Sequence, residues 1–203
     1  MKAKSTQHQD TGEKIMDAAE TLFIERGFAA TSLRAIARDA RVNLAAANYH
    51  FGCKEGLFAA VIHRRVTPVN QQRIAILDKL ESGDSSPTTR EIVDAFLNPL
   101  TNSDLPPHLP ALISRISSEP QPALKSIIQN EFAETAMRFQ SALVKANPQV
   151  SPDDIMWRFH FLVGGMLQLV SLLNPLGVQK ANVSPVERMG KLAKFAVAGL
   201  EVE

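Results

Sequence analysis

The chain has 203 residues, 45% of them hydrophobic, a formal charge of +1 and a single cysteine. This is enough apolar sequence for one sizeable core or two smaller ones, and it excludes a polybasic coat protein and any disulfide within the chain. Charge is unevenly spread: residues 1–65 hold 10 Lys/Arg against 7 Asp/Glu, and residues 66–203 hold 12 against 14. A mildly basic head before a mildly acidic body suits a local phosphate-contacting surface.

Met1 to Asp10 is polar, with no apolar stretch of the kind a secretory signal carries. With the lone thiol, this gives an expected cytoplasmic location. Residues 1–9 are expected to form a mobile arm, with Lys2 and Lys4 either solvated or reaching DNA. The first helix is expected from Asp10 or Thr11. Ile15, Ala18, Ala19, Leu22 and Phe23 repeat at helical spacing as its buried stripe, and Gly27 is a typical stop. Phe28 is expected in the same small core.

The stretch from Thr31 to Lys54, TSLRAIARDARVNLAAANYHFGCK, breaks into two short helices and the start of a third. Leu33, Ile36, Ala37 and Ala40 fall at i, i+3, i+4 and i+7. Thr31 stands ahead of them as an expected N-cap, and Asn43 caps the second helix after a tight turn. That second helix is small on one side (Ala45, Ala46) and polar or aromatic on the other (Asn48, Tyr49, His50). Two short helices across a tight turn, the second able to meet bases and phosphates, make a helix-turn-helix. Asn48 can pair bidentately with adenine, and Leu44 and Ala45 can touch thymine methyls. Arg34 can reach phosphate or guanine. Lys54, opening the next helix, joins a cation to free backbone N–H groups, a natural phosphate clamp. For each side chain alone, the alternative is ordinary solvent exposure.

These residues carry a resemblance. Gly12 to Leu57, with IMDAAETLFIERGFAATSLRAIA followed by NYHFGCKEGL, resembles the DNA-binding domain of the TetR family of bacterial transcriptional regulators. The resemblance covers about a quarter of the chain and implies phosphate contacts by Tyr49, His50 and Lys54. The chain departs from the family pattern at Arg41, where glycine is usual, and at Cys53, where serine is usual. A left-handed Arg41 costs about 1 kcal/mol. Cys53 reads either as a weaker helix cap or as a thiol whose pKa a helix N-terminus and Lys54 would lower.

The next helix is expected from Lys54, with Leu57, Phe58, Val61, Ile62 and Val66 inward and Pro68 kinking or ending it. Glu81 to Arg90 reads as a loop, followed by a short helix over Glu91 to Leu97. Asn98 to Pro110 is expected to be irregular, with another short helix to about Ser117. Pro120 or Pro122 opens the next helix, lined by Leu124, Ile128, Phe132, Ala136, Phe139 and Leu143.

Ser151 caps a helix over Ile155 to Leu173 that is apolar nearly all round, and so is expected to be buried on several sides. Arg158, His160 and Gln168 interrupt it, which fits a buried helix better than a membrane span. Gly164 and Gly165 suggest close approach by another helix. The last helix begins at Ser184, with Met189, Leu192, Ala193, Ala196 and Leu200 on one face and a Glu187–Lys191 pair on the other. Around Trp157, MWRFHFLVGGM resembles the fatty-acid- or acyl-CoA-responsive, PsrA-like subgroup of the family. That resemblance points to an effector site formed by Phe132, Phe139, Trp157, Arg158, His160 and Phe161, with Arg158 or His160 meeting a polar head group. A bulky aromatic effector is the competing possibility; both polar residues can instead serve only the fold, and packing is the plainer role for Trp157 and Phe161.

No Walker A loop, HExxH pair or GxSxG elbow occurs, so no enzyme, cofactor or metal site is expected. The expected fold is all-α: an N-terminal three-helix helix-turn-helix domain over residues 1–52, and a larger helical ligand-binding and dimerisation domain over residues 53–203. The expected function is a ligand-responsive transcriptional regulator, a repressor in most of the family. It would bind a pseudo-palindromic double-stranded DNA operator as a homodimer and be released by a small apolar effector, with no membrane partner. Two alternatives remain at this point: a helical binding or enzymatic domain with a vestigial helix-turn-helix, and a DNA-binding factor without a ligand.

Overall fold

A computed structural model describes residues 2–101, 108–118, 122–170 and 183–202. Among these residues the structure is all-helical, with nine α-helices, one 3-10 turn and no strand. The helices are α1 (Lys2–Ala30), α2 (Leu33–Asp39), α3 (Leu44–Phe51), α4 (Lys54–Glu81), α5 (Thr89–Leu97), α6 (Leu109–Ser118), α7 (Pro122–Ala146), α8 (Pro152–Val170) and α9 (Pro185–Glu201), and the 3-10 turn covers Asn98–Leu100. They form two compact units. One holds residues 1–66 and 111–131, and the other holds residues 67–110 and 132–203.

In the first unit, α1, α2 and α3 pack on one another. The α1 stripe of Ile15, Ala18, Ala19, Leu22 and Phe23 is buried, as its period predicts. Backbone helix begins at Lys2, ahead of the expected start at Asp10 or Thr11, and is broken at Gly27 (φ 83°). Phe28 then turns back into the core. Phe23, Phe28 and Phe58 form a triangle with ring centroids 5.4–5.6 Å apart, two of the three pairs edge-to-face. Burying each ring contributes about 1.5–3 kcal/mol.

Leu57, Phe58, Val61, Ile62 and Val66 of α4 are all buried, as expected. The helix does not end at Pro68 but continues to Glu81. Pro68 is exposed, so water can meet the one carbonyl that a proline leaves without a partner. One unit gives way to the other beside it, between Val66 and Thr67.

In the second unit, α9 packs on α5 and α8. Phe96 sits at the centre, 5.1 Å from the rings of both Phe139 and Phe159. α5 starts two residues before its expected position because Thr88 and Glu91 form a reciprocal capping box. Thr89 donates to Asn147 Oδ1 at 3.0 Å, tying the start of α5 to the end of α7. The expected irregular segment is only partly so: the 3-10 turn occupies Asn98–Leu100, α6 takes in Leu109 and Pro110, and residues 102–107 lie outside the described residues. Pro120 also lies outside them, and α7 opens at Pro122.

Ser151 caps α8 by accepting from Asp154 N at 3.1 Å, and Ser184 caps α9 by accepting from Glu187 N at 3.1 Å. Glu187 and Lys191 pair at 3.3 Å. The expected end of α8 near Leu173 lies outside the described residues. Gly165 is the close approach anticipated from the sequence, since a Cβ there would lie 2.8 Å from Leu192 Cδ1. Gly164 has nothing within 4 Å of that position. α8 itself differs from expectation. Ile155, Phe159, Leu162, Met166 and Val170 are buried, while Trp157 (56% exposed) and Phe161 (64%) project outward. One face of the helix fills the core of its own chain, and the opposite apolar stripe does not.

Candidate nucleic-acid interface and the core of the second unit

The helix-turn-helix is fixed by its caps and turn. Ser32, one residue after the expected Thr31, is the N-cap of α2 and accepts from Ala35 N at 3.2 Å. Thr31 is buried, with its hydroxyl turned inward on Gly27 O at 2.7 Å and Leu22 O at 3.2 Å. Its contribution is to close the α1–α2 connection from inside. In the turn, Arg41 takes the left-handed conformation (φ 55°) that glycine would enter without strain. Asn43 caps α3 as expected, accepting from Ala45 N at 2.9 Å.

Ala47 is fully buried and seats α3 on the unit. Ala45, Asn48 and Tyr49 therefore share the opposite, exposed face at i, i+3 and i+4. Tyr49 is 76% exposed. Leu44 and His50 flank the face, half-buried. Arg34, Arg38 and Arg41 are exposed and make no ion pair with another described residue. Three guanidinium groups on the helix-turn-helix and an exposed amide–phenol face can meet phosphates and base edges.

Lys54 is engaged differently from the free clamp its position suggests. Its ammonium donates to Phe28 O and Thr31 O, each at 2.9 Å, and lies 4.1 Å from the centre of the Phe28 ring. It thus ties the start of α4 to carbonyls at the end of α1, where a cation is also favoured by the helix dipole. The neighbouring Cys53 is exposed, and its sulfur accepts from Gly56 N at 3.4 Å, a weak cap. Gly56 is required by close approach, because a Cβ there would lie 2.3 Å from Phe51 O.

Behind the helix-turn-helix, an ion network joins α1 to α4. Buried Glu20 accepts from Arg64 at 2.8 Å and from Arg65 at 2.6 Å, and Arg64 also reaches Glu13 and Asp17 at 2.8 Å. Burial alone would lower the Arg64 pKa, but the bonds to Glu13, Asp17 and Glu20 raise it. The sequence offers no local pattern that announces this network.

The six residues expected to hold an effector separate. Phe139 is fully buried beside Phe96, and Phe132 is half-buried. Trp157 and Phe161 lie together on the outer face of α8, ring centroids 6.2 Å apart. His160 is exposed beside Trp157. Arg158 donates to Leu200 O at 3.3 Å and to Val202 O, capping the end of α9. Among the described residues of this unit the fully buried cation is instead Arg73, which the sequence pattern did not single out. It stands on the α4 stripe after Val66 and Val69 and before Leu77, a helical spacing that could have identified it.

Two family descriptions match the sequence: "Bacterial regulatory proteins, tetR family" over residues 15–61, and "Tetracyclin repressor-like, C-terminal domain" over residues 94–199. The probable HTH-type transcriptional regulator YttP of Bacillus subtilis is 42% identical over 52 residues, 26% of this chain and 25% of that protein. The HTH-type transcriptional repressor Rv3405c of Mycobacterium tuberculosis is 44% identical over 57 residues, 28% of this chain and 30% of that protein. The match thus spans under a third of the length of these relatives.

Among solved structures, NalD, the secondary repressor of the MexAB-OprM multidrug efflux pump in Pseudomonas aeruginosa, aligns with a TM-score of 0.70 at 22% identity, covering 95% of this chain and 97% of NalD. The fatty acid degradation regulator FadR from Bacillus halodurans aligns with a TM-score of 0.68 at 13% identity, covering 95% and 97%. SmeT, solved with triclosan, aligns with a TM-score of 0.63 at 22% identity, covering 93% and 90%. These likenesses establish a shared fold. With sequence matches at both ends of the chain, one on the helix-turn-helix and one on the helical body, the protein belongs to the TetR family of bacterial transcriptional regulators.

Proposed function

We propose that this regulator is a cytoplasmic repressor that binds a pseudo-palindromic operator as a homodimer and is released by a small apolar effector. In this reading residues 1–52 read DNA, and residues 53–203 carry the effector site and the dimer contact. The observation that carries it is the exposed α3 face of Ala45, Asn48 and Tyr49, flanked by Arg34, Arg38 and Arg41. Asn48 reads a base edge, Ala45 and Leu44 meet thymine methyls, and Tyr49, His50 and Arg34 hold phosphates. Asn43 sets the entry of α3 towards the groove. Lys54 acts from behind, by holding α4 to the end of α1.

Two such heads fit an operator only at a separation of about 34–36 Å, one helical turn, or a multiple of it. The homodimer is supported by the outward stripes of α8 and α9: Trp157 and Phe161 on one, Phe195 (76% exposed) on the other. Paired about a two-fold axis, they make a four-helix contact. Gly164, with open space at its Cβ position, admits a partner helix closely. An effector works by population shift: it binds better to a state whose heads no longer match the half-sites. SmeT, which shares the fold, is known in complex with triclosan.

The test is a fluorescence anisotropy titration of the intact protein on its own upstream DNA, with candidate effectors added to the complex. Specific binding that a small apolar molecule reverses supports the reading. Binding that no such molecule reverses removes the effector half of it.

A further inference from the structure

Arg73 is the largest fully buried side chain among the described residues, 1% exposed. Its Nε donates to Phe96 O at 2.8 Å, Nη1 to Asn70 Oδ1 at 3.1 Å, and Nη2 to Met166 Sδ at 3.1 Å. The guanidinium lies 4.0 Å above the Phe96 ring. A carbonyl, an amide, a thioether and a ring hold it, and no carboxylate of the described residues meets it. Burial pushes its pKa down to about 9, so the group still carries its charge at neutral pH.

Among the described residues this cation stands without a counter-ion, an arrangement that costs free energy and that an aliphatic side chain in the same place would avoid. Such an arrangement fits a group whose partner arrives from outside. Nη2 has the weakest acceptor available, a thioether sulfur. Met166, with its freely turning side chain, can withdraw and leave Nη1 and Nη2 side by side for a planar, bidentate anion. Phe96, the ring beneath the guanidinium, packs in turn against Phe139 and Phe159.

We infer that Arg73 is the anion-recognising residue of an effector site in the second unit, and that the effector is an apolar molecule bearing a carboxylate. This rests on the reading that the body of the protein takes an effector. It assigns head-group recognition to Arg73, leaving Arg158 and His160 to structural and surface roles. Replacement of a sulfur by a carboxylate at Nη2 requires Met166 to move, so the effector favours a rearranged state over the resting one.

The experiment compares matched acids and methyl esters: decanoate with methyl decanoate, and 2-naphthoate with methyl 2-naphthoate, by calorimetry on the intact protein and by release of operator DNA. At least one acid is expected to bind ten-fold or more tightly than its ester and to release operator. Arg73→Gln should bring that ratio close to one, and Arg73→Lys should keep part of it. Equal binding of acids and esters by the parent protein overturns the inference, whatever the variants do. So does release by neutral compounds alone, an outcome in which effector control survives and the carboxylate does not. If neither these compounds nor a panel of neutral aromatic drugs binds, the effector reading falls together with it. An Arg73→Gln protein that folds and still prefers the acid overturns the assignment to Arg73.

Discussion

The Lys54 ammonium lies 2.9 Å from the Phe28 carbonyl and 4.1 Å from the centre of the same residue's ring. One side chain thus closes the end of α1 on the start of α4, and the helix-turn-helix lies between these two points in sequence. Lys54→Met keeps the length of the side chain and removes its donors. It should lower stability by about 1–3 kcal/mol in urea unfolding. The salt dependence of DNA binding by the folded variant should match that of the parent. A slope shallower by about one unit would instead make Lys54 a phosphate contact.

Asn48 stands on the exposed face of α3, opposite buried Ala47. Asn48→Ala should relax sequence preference at one position in each half-site by about 1–3 kcal/mol, with little change in binding to random duplex. Arg34→Ala should weaken both kinds of binding and reduce the salt slope by about one unit per protomer. Competition assays on single-base operator variants separate the two behaviours.

The proposed dimer contact is tested on side chains that project from the chain. Leu192 packs against Gly165 of its own helix pair, so a charge there would damage the fold itself. Phe161 and Phe195, 64% and 76% exposed, are better probes. Phe161→Glu or Phe195→Glu should give folded monomers in sedimentation experiments and weaken operator binding steeply. Dimers that persist in both variants would move the interface elsewhere.

How much was legible in the sequence follows from the range of the forces involved. The stripes of α1 and α4 were legible because burial repeats at 3.6 residues and needs no knowledge of a partner. The choice between Thr31 and Ser32 as cap was not, since both carry hydroxyls and only the inward turn of Thr31 on Gly27 and Leu22 decides it. The Thr88–Glu91 box was present in the sequence, at the spacing that starts a helix at Thr89. α8 was readable as apolar all round, but which stripe faces its own core depends on α9 and α5. Arg73 sat in plain view on an apolar stripe. What keeps a charge there is a carbonyl and a ring of Phe96, from another helix.

The capping box also gives a pH dependence. Glu91 accepts from the Thr88 backbone N–H and hydroxyl, which hold its pKa below the ordinary carboxylate value. A lowered folded-state pKa contributes stability that is present above the unfolded value and is lost as pH falls through the folded one. Glu91→Gln should therefore be less stable than the parent at neutral pH, and the gap should close as pH drops below about 4. A gap that persists at pH 2.5 would mean the charge of Glu91 is not what caps α5.

The exposed α3 face is proposed to read a two-fold operator. Its most direct test is a stoichiometric titration of the intact protein onto its own upstream DNA, repeated with the Asn48→Ala, Tyr49→Ala double variant and with a shuffled duplex. Expected are two protomers per site, tight binding to the upstream fragment alone, and loss of the preference for it over the shuffled duplex in the variant. Parent protein that binds both duplexes equally, or a double variant that keeps the parent's preference, would contradict it.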